Sequence, residues 1–223
     1  MGHTNEEIIN IVKENLRTLY KNSCVNYTGV TTDTKEYYTE IIADFLLKNI
    51  DDYKKSIIPV ERKGSYKVKG HHQYDYDPTM PISLRKEELF ARALYGRELD
   101  GLTFLDYQVP LKNVGTKENV GLGKIDSLAW DGTGLVILEL KKPDSPETLL
   151  RCVLEAYTYQ KTVCKKKLAK DFDREGAPVR SAALIFADSQ PYQDWKCAGK
   201  PHVKELMKEF GVGLYVREID FKE

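Results

Sequence analysis

The chain has no surplus charge of either sign: Lys and Arg together number 34, and so do Asp and Glu. That balance excludes the broad positive field of a nucleic-acid packaging protein, so any polyanion must be held by a local patch. Cysteine is sparse. Cys24, Cys152, Cys164 and Cys197 lie far apart with no Cys-x-x-Cys spacing, which argues against a single-segment zinc knuckle or a small disulfide scaffold and fits a reduced, cytoplasmic protein. No apolar run approaches the roughly 18 residues that span a bilayer, and no apolar stretch follows a basic start, so neither secretion nor a membrane partner is expected. Glu6 stands where an N-myristoylation signal on Gly2 would need Ser or Thr. Internal repeats and low-complexity tracts are absent.

What remains is ordinary globular material, long enough at 223 residues for one elaborated core. Three stretches are expected: a helical segment over 1–60, an irregular connection over 61–82, and an α/β core over 83–223. Ile8, Ile9, Val12, Leu16 and Leu19 repeat at helical spacing behind Thr4, and a second helical pattern runs from about Thr34 to Tyr53. Glycines, prolines and tyrosines without period fill 61–81. Beyond it the spacing predicts a helix from Ser83 to Leu94 or Leu99, strands over Thr103–Pro110, Gly123–Trp130 and Gly134–Leu140, and a long helix over Pro146–Ala169. A strand over Val179–Ala187, a helix over Val203–Phe210 stopped by Gly211, and a strand over Gly213–Ile219 complete the order. The fold class is therefore mixed α/β (α+β), a central mixed sheet flanked by helices with an N-terminal helical pair.

The chemistry concentrates in Gly123-Lys-Ile-Asp126 and, across the turn Asp131-Gly-Thr-Gly134, Leu135-Val-Ile-Leu-Glu139-Leu-Lys141-Lys142. In the second strand Glu139 and Lys141 are two apart and share a face, while Leu138 and Leu140 take the other. Counting back from the turn sets Asp126 opposite Glu139, so the two carboxylates can share a cation. A hard divalent ion, Mg²⁺ with Mn²⁺ as a substitute, takes oxygen donors. Asp126, Glu139 and the Leu140 backbone carbonyl supply them, and Lys141 is suited to orient water or offset charge on a phosphate.

An Asp, a hairpin and a Glu-x-Lys at the end of the second strand, between two helices, resemble the PD-(D/E)XK nuclease superfamily of restriction-endonuclease-like fold, over about Ser83 to Ala187. The resemblance implies Mg²⁺ on Asp126 and Glu139, a lysine, Lys141, serving the attacking water, and DNA as the partner. It also directs attention to an acid on the preceding helix, where helical angle favours Glu87 over Glu88, both of which equally suit a first-turn acid complementing the helix dipole. Gln160 falls within the apolar stripe of the long helix, where it either positions a catalytic carboxylate or water or is a structural glutamine with a buried partner. Glu155 falls on the opposite side and is expected in solvent.

Other clusters favour plain readings. His71 and His72 with Asp75 and Asp77 fit no zinc spacing and read as a polar loop. Lys165-Lys166-Lys167 is expected to end a helix, and Tyr66, Tyr74 and Tyr76 to pack rather than stack bases. Lys124, Lys142, Lys161 and Lys165 are expected to rim the acidic pocket. Two rival readings stand beside the nuclease: a catalytically silent nucleic-acid-binding or regulatory protein of the same fold, and a non-catalytic interaction module. A homodimer is compatible with the sequence, which fixes no oligomeric state.

Overall fold

A computed structural model describes residues 2–72, 86–113 and 122–218. The first helix, α1 (Asn5–Asn15), begins with a capping box in which the Thr4 side chain and Glu7 satisfy each other's backbone N–H groups. The chain then tightens into 3-10 turns over Leu16–Lys21 and Ser23–Asn26. The second helical pattern is broken at Asn49 into α2 (Tyr38–Lys48) and α3 (Ile50–Ser56), since the Asn49 side chain turns back onto the Phe45 carbonyl and competes with the helix ladder. Residues 57–72 carry no helix or strand. The cap at Ser83, together with Tyr74, Asp75, Tyr76 and Asp77, lies outside the described residues.

The remaining elements are α4 (Lys86–Leu94), β1 (Glu98–Leu99), β2 (Leu102–Pro110), β3 (Lys124–Trp130), β4 (Leu135–Leu140), α5 (Leu149–Thr162), α6 (Lys165–Asp171), β5 (Val179–Phe186), α7 (Gln190–Lys196), α8 (Pro201–Phe210) and β6 (Val212–Arg217). The strands form one sheet in chain order, antiparallel from β1 through β4 and parallel from β4 through β6. Gly211 stops α8 in the left-handed conformation at φ 63°, as a C-terminal glycine does.

The expected single helix over Pro146–Ala169 is two, because Val163 and Cys164 are extended and divide α5 from α6. Lys165, Lys166 and Lys167 consequently begin a helix instead of ending one, and Lys167 is held by Asp171 one turn on. The short strand β1 and helix α7 have no counterpart in the sequence expectation.

The sheet is buried on both faces. Alternate residues of β4 enter different cores: Leu135 and Ile137 join Ile125, Leu149, Val153 and Tyr157, while Val136, Leu138 and Leu140 join Phe90, Phe104, Ala182, Leu184 and Phe186. The N-terminal helices pack into the first of these cores through Ile8, Val12, Ile42 and Leu46. Among the described residues no helix is long and apolar enough to cross a membrane.

Candidate functional site

The site forms where β3 begins and β4 ends. Ser127 pairs with Leu138, so one step further along the antiparallel register Asp126 stands across from Glu139. The Asp126 carboxylate is held at both oxygens. Leu140 N–H donates to Oδ2 at 3.1 Å, and the Gln108 side-chain amide of β2 donates to Oδ1 at 3.2 Å. Gln108 reaches it from a left-handed backbone conformation, φ 48°, close after the register irregularity between Phe104 and Asp106.

Lys141 is nearly solvent-free, and its ammonium meets three carboxylates: Glu139 at 2.8 Å, Glu147 at 2.5 Å and Glu155 at 3.1 Å. Glu155 is held in turn by Arg151, one turn earlier on α5, at 2.8 Å. Glu87 approaches from α4 on the other side of the sheet and accepts a hydrogen bond from the Lys142 backbone N–H. The electrostatics link Glu87 to Lys141.

Five acids thus surround two cations, and the protonation equilibria register the imbalance. Burial raises Asp126 to about 7, with Lys141 opposing the rise and Glu87 adding to it. Burial and the Asp126 charge push Glu139 well above the carboxylate range. Burial acts in the same direction on Glu155, yet Lys141, Glu139 and Arg151 outweigh it and leave it lowered. Burial works against the Lys141 ammonium, but Glu139 and Glu155 hold its pKa above the ordinary lysine value.

Glu155 corrects the sequence reading. Every α5 residue from Cys152 to Tyr159 is buried, so no face of this stretch is solvated and the angular argument that put Glu155 in water fails. Its only legible signal was the Arg151–Glu155 spacing of one turn. Gln160 is not brought to the acids. Its amide donates to the Val179 carbonyl at 3.0 Å, and Val179 pairs with Leu135, four strand positions or about 13 Å from the Glu139 level. Here Gln160 ties α5 to β5.

The expected basic rim is displaced in the same way. Lys161 and Lys165 continue beyond Gln160, away from Glu139, and Lys142 is paired with Asp144 at 2.7 Å. Lys124 at the start of β3 is exposed near Asp126. His71 makes a 2.5 Å contact with buried Asp106 and stacks on Tyr107 at 3.9 Å, and among the described residues it joins no metal-ligand group. Tyr66 is wholly buried, its hydroxyl accepting from Cys164 N–H.

Nothing in the sequence pattern singles out Tyr159. Its hydroxyl closes over the Gly123 backbone, where any β-carbon would collide with it. Burial raises its pKa, as do the Glu139, Glu155 and Asp126 charges.

Among the described residues no three His, Cys, Asp or Glu side chains form a ready metal cage. The donor set nevertheless fits a hard divalent cation. Its ligating atoms are all oxygen, the acids outnumber the cations, and Glu139 Oε2 is buried without a hydrogen-bond partner among the described residues. No family model, curated protein or solved structure matches this chain.

Proposed function

We propose that the chain is a divalent-metal-dependent nuclease of the PD-(D/E)XK type, hydrolysing phosphodiester bonds in DNA. The observation that carries this reading is the convergence of Asp126, Glu139 and Lys141 at one end of a hairpin, with acid in excess and Glu139 Oε2 buried without a hydrogen-bond partner among the described residues. A bound Mg²⁺ or Mn²⁺ would supply Lewis acidity toward the phosphoryl oxygens. Asp126, pre-oriented by Gln108 and Leu140 N–H, and Glu139 would hold it, with the Leu140 backbone alongside. The Lys141 ammonium, held between Glu139 and Glu155, would orient the attacking water and offset charge on the phosphate. Glu155, Glu147 and Arg151 keep that ammonium in place.

One observation favours a second reading. Lys141 has three donors and three carboxylate partners, the pattern of a structural staple joining β4 to α5, and a chain of this fold that binds nucleic acid without turnover would retain it. Incubation with labelled single-stranded, duplex and branched DNA and with RNA, in Mg²⁺, Mn²⁺ or EDTA, separates the two. The nuclease cleaves only with metal, and Asp126→Ala abolishes both cleavage and metal binding. Failure of every substrate in both metals would overturn the proposal.

A further inference from the structure

The N-terminal segment has no role in the chemistry above, yet it builds one wall of a cavity beside the acid cluster. The cavity, about 340 Å³, lies between the 3-10 turn over Leu16–Lys21, residues 57–60, Leu122 and α5. It adjoins the site through Tyr20, whose ring meets that of Tyr159 edge-on at 5.9 Å and whose phenol, raised chiefly by burial, also feels the Glu155 charge. Leu122 leads directly into Gly123, beneath the Tyr159 hydroxyl.

Two features mark this cavity as a place for a ligand with an anionic and an apolar part. Arg17 and Lys21 at its rim are exposed, and neither is ion-paired to a carboxylate among the described residues, unlike Lys48, Lys142 and Lys167. Ile58, also lining it, is 51% exposed, the most exposed of the large apolar side chains among the described residues. Cations beside bare aliphatic surface suit a phosphodiester with its base or sugar laid against Ile58 and Leu122. The volume is at the small end of ligand pockets and accepts one such unit, not a duplex.

We infer that this cavity binds one nucleotide of a single-stranded stretch flanking the scissile phosphate, with Arg17 and Lys21 on the backbone, so that the N-terminal segment selects single-stranded or frayed substrates. The inference rests on the nuclease reading and narrows its substrate. A base must leave its stack to enter, which is least costly in a strand without a partner.

The test is fluorescence anisotropy with a labelled single strand and its duplex, in Ca²⁺ over a salt series, alongside cleavage in Mg²⁺. The proteins compared are the parent chain, Arg17→Ala/Lys21→Ala, Ile58→Glu, and Lys208→Ala as an exposed control on α8. These are surface positions, and unchanged thermal unfolding verifies that each variant is folded. We expect the parent to prefer the single strand and the double variant to bind it roughly tenfold more weakly, its salt slope falling by about 0.7 for each phosphate no longer neutralised. Ile58→Glu should weaken binding and raise KM with kcat retained, and Lys208→Ala should change nothing. Double-variant and Ile58→Glu proteins that bind and cleave the single strand like an active parent would overturn the inference while leaving the nuclease reading standing. So would a parent that prefers duplex. A parent that neither binds nor cleaves any nucleic acid would remove both.

Discussion

Replacing Lys141 by Met keeps an unbranched apolar stem and removes the ammonium on which Glu139, Glu147 and Glu155 converge. Breaking a buried ion pair from one side costs about 3–5 kcal/mol, because the stranded charge keeps its desolvation penalty. Against the 5–15 kcal/mol typical of a folded domain this is a large share, and at roughly 2–4 °C per kcal/mol for a chain of this size the melting point should drop by about 6–20 °C near neutral pH. The pH dependence follows from the carboxylates. Without Lys141, Glu139 and Glu155 lose a charge that lowers their pKa values, so both ionise at higher pH in the folded variant than in the folded parent. A raised acid pKa means that the folded state binds the extra protons, and stability is recovered as the pH falls from neutrality toward the unfolded carboxylate values. The deficit measured by urea unfolding should therefore shrink between pH 7.5 and 5. Mg²⁺ should also reduce it, since a cation can take the place of the ammonium. A deficit under 1 kcal/mol, or one that is the same at both pH values, would refute the account of Lys141 as the counter-ion of this cluster.

Three further outcomes are expected. Gln108→Val places a β-branched side chain at φ 48° and should cost about 1–3 kcal/mol by thermal unfolding, whereas Gln108→Gly should be tolerated by the fold while weakening divalent-ion affinity in calorimetry, because Asp126 loses a donor. Asp194→Ala leaves Lys200 buried without its 2.7 Å partner and removes the acceptor for Leu149 N–H at the start of α5, so denaturant unfolding should report a loss of about 3–5 kcal/mol. Gly134→Ala drives a β-carbon to 2.7 Å from the Pro178 carbonyl, which can yield only by moving backbone, and should lower stability by about 1–3 kcal/mol with the acid cluster intact, as seen in unchanged metal binding.

The hairpin was legible because strand alternation is a rigid rule. Once Glu139 and Lys141 are two apart, and the turn is centred near Gly132, the facing of Asp126 follows with no knowledge of the rest of the fold. The mixed class and the flanking elements were legible for a similar reason, each carrying its own period and stop signal. The helices misled where burial overrode the stripe. α5 is enclosed by the sheet, by α7 and α8 and by the N-terminal turns, so Glu155 is buried beside Leu154, and a charge on such a helix says nothing by its angle. Of the two readings of Gln160 the contacts show the structural one, a distinction angle cannot make because it gives a direction around the axis but not which strand terminus the helix reaches. Tyr159 was invisible because its role depends on the missing side chain of Gly123, 36 positions away. The break at Val163–Cys164 was missed because neither residue is a helix breaker, and what fixes the local path is tertiary: Val60 N–H on the Thr162 carbonyl and Tyr66 Oη on Cys164 N–H.

The start of α5 is tied by bonds that span much of the chain. The Thr148 hydroxyl donates to Val25 across 123 positions, Asn26 accepts from Thr148 N–H, and Asp194, itself clasped by Lys200, accepts from Leu149 N–H across 45 positions. Glu155 rides on this helix less than two turns further on. The geometry of the acid cluster is thus assembled only when the earliest and latest thirds of the polypeptide have both closed around its middle. A ribosome-bound chain lacking residue 194 has every acid and the lysine already synthesised, but not the anchor that sets their spacing, so the native geometry of the cluster is reserved for the finished molecule.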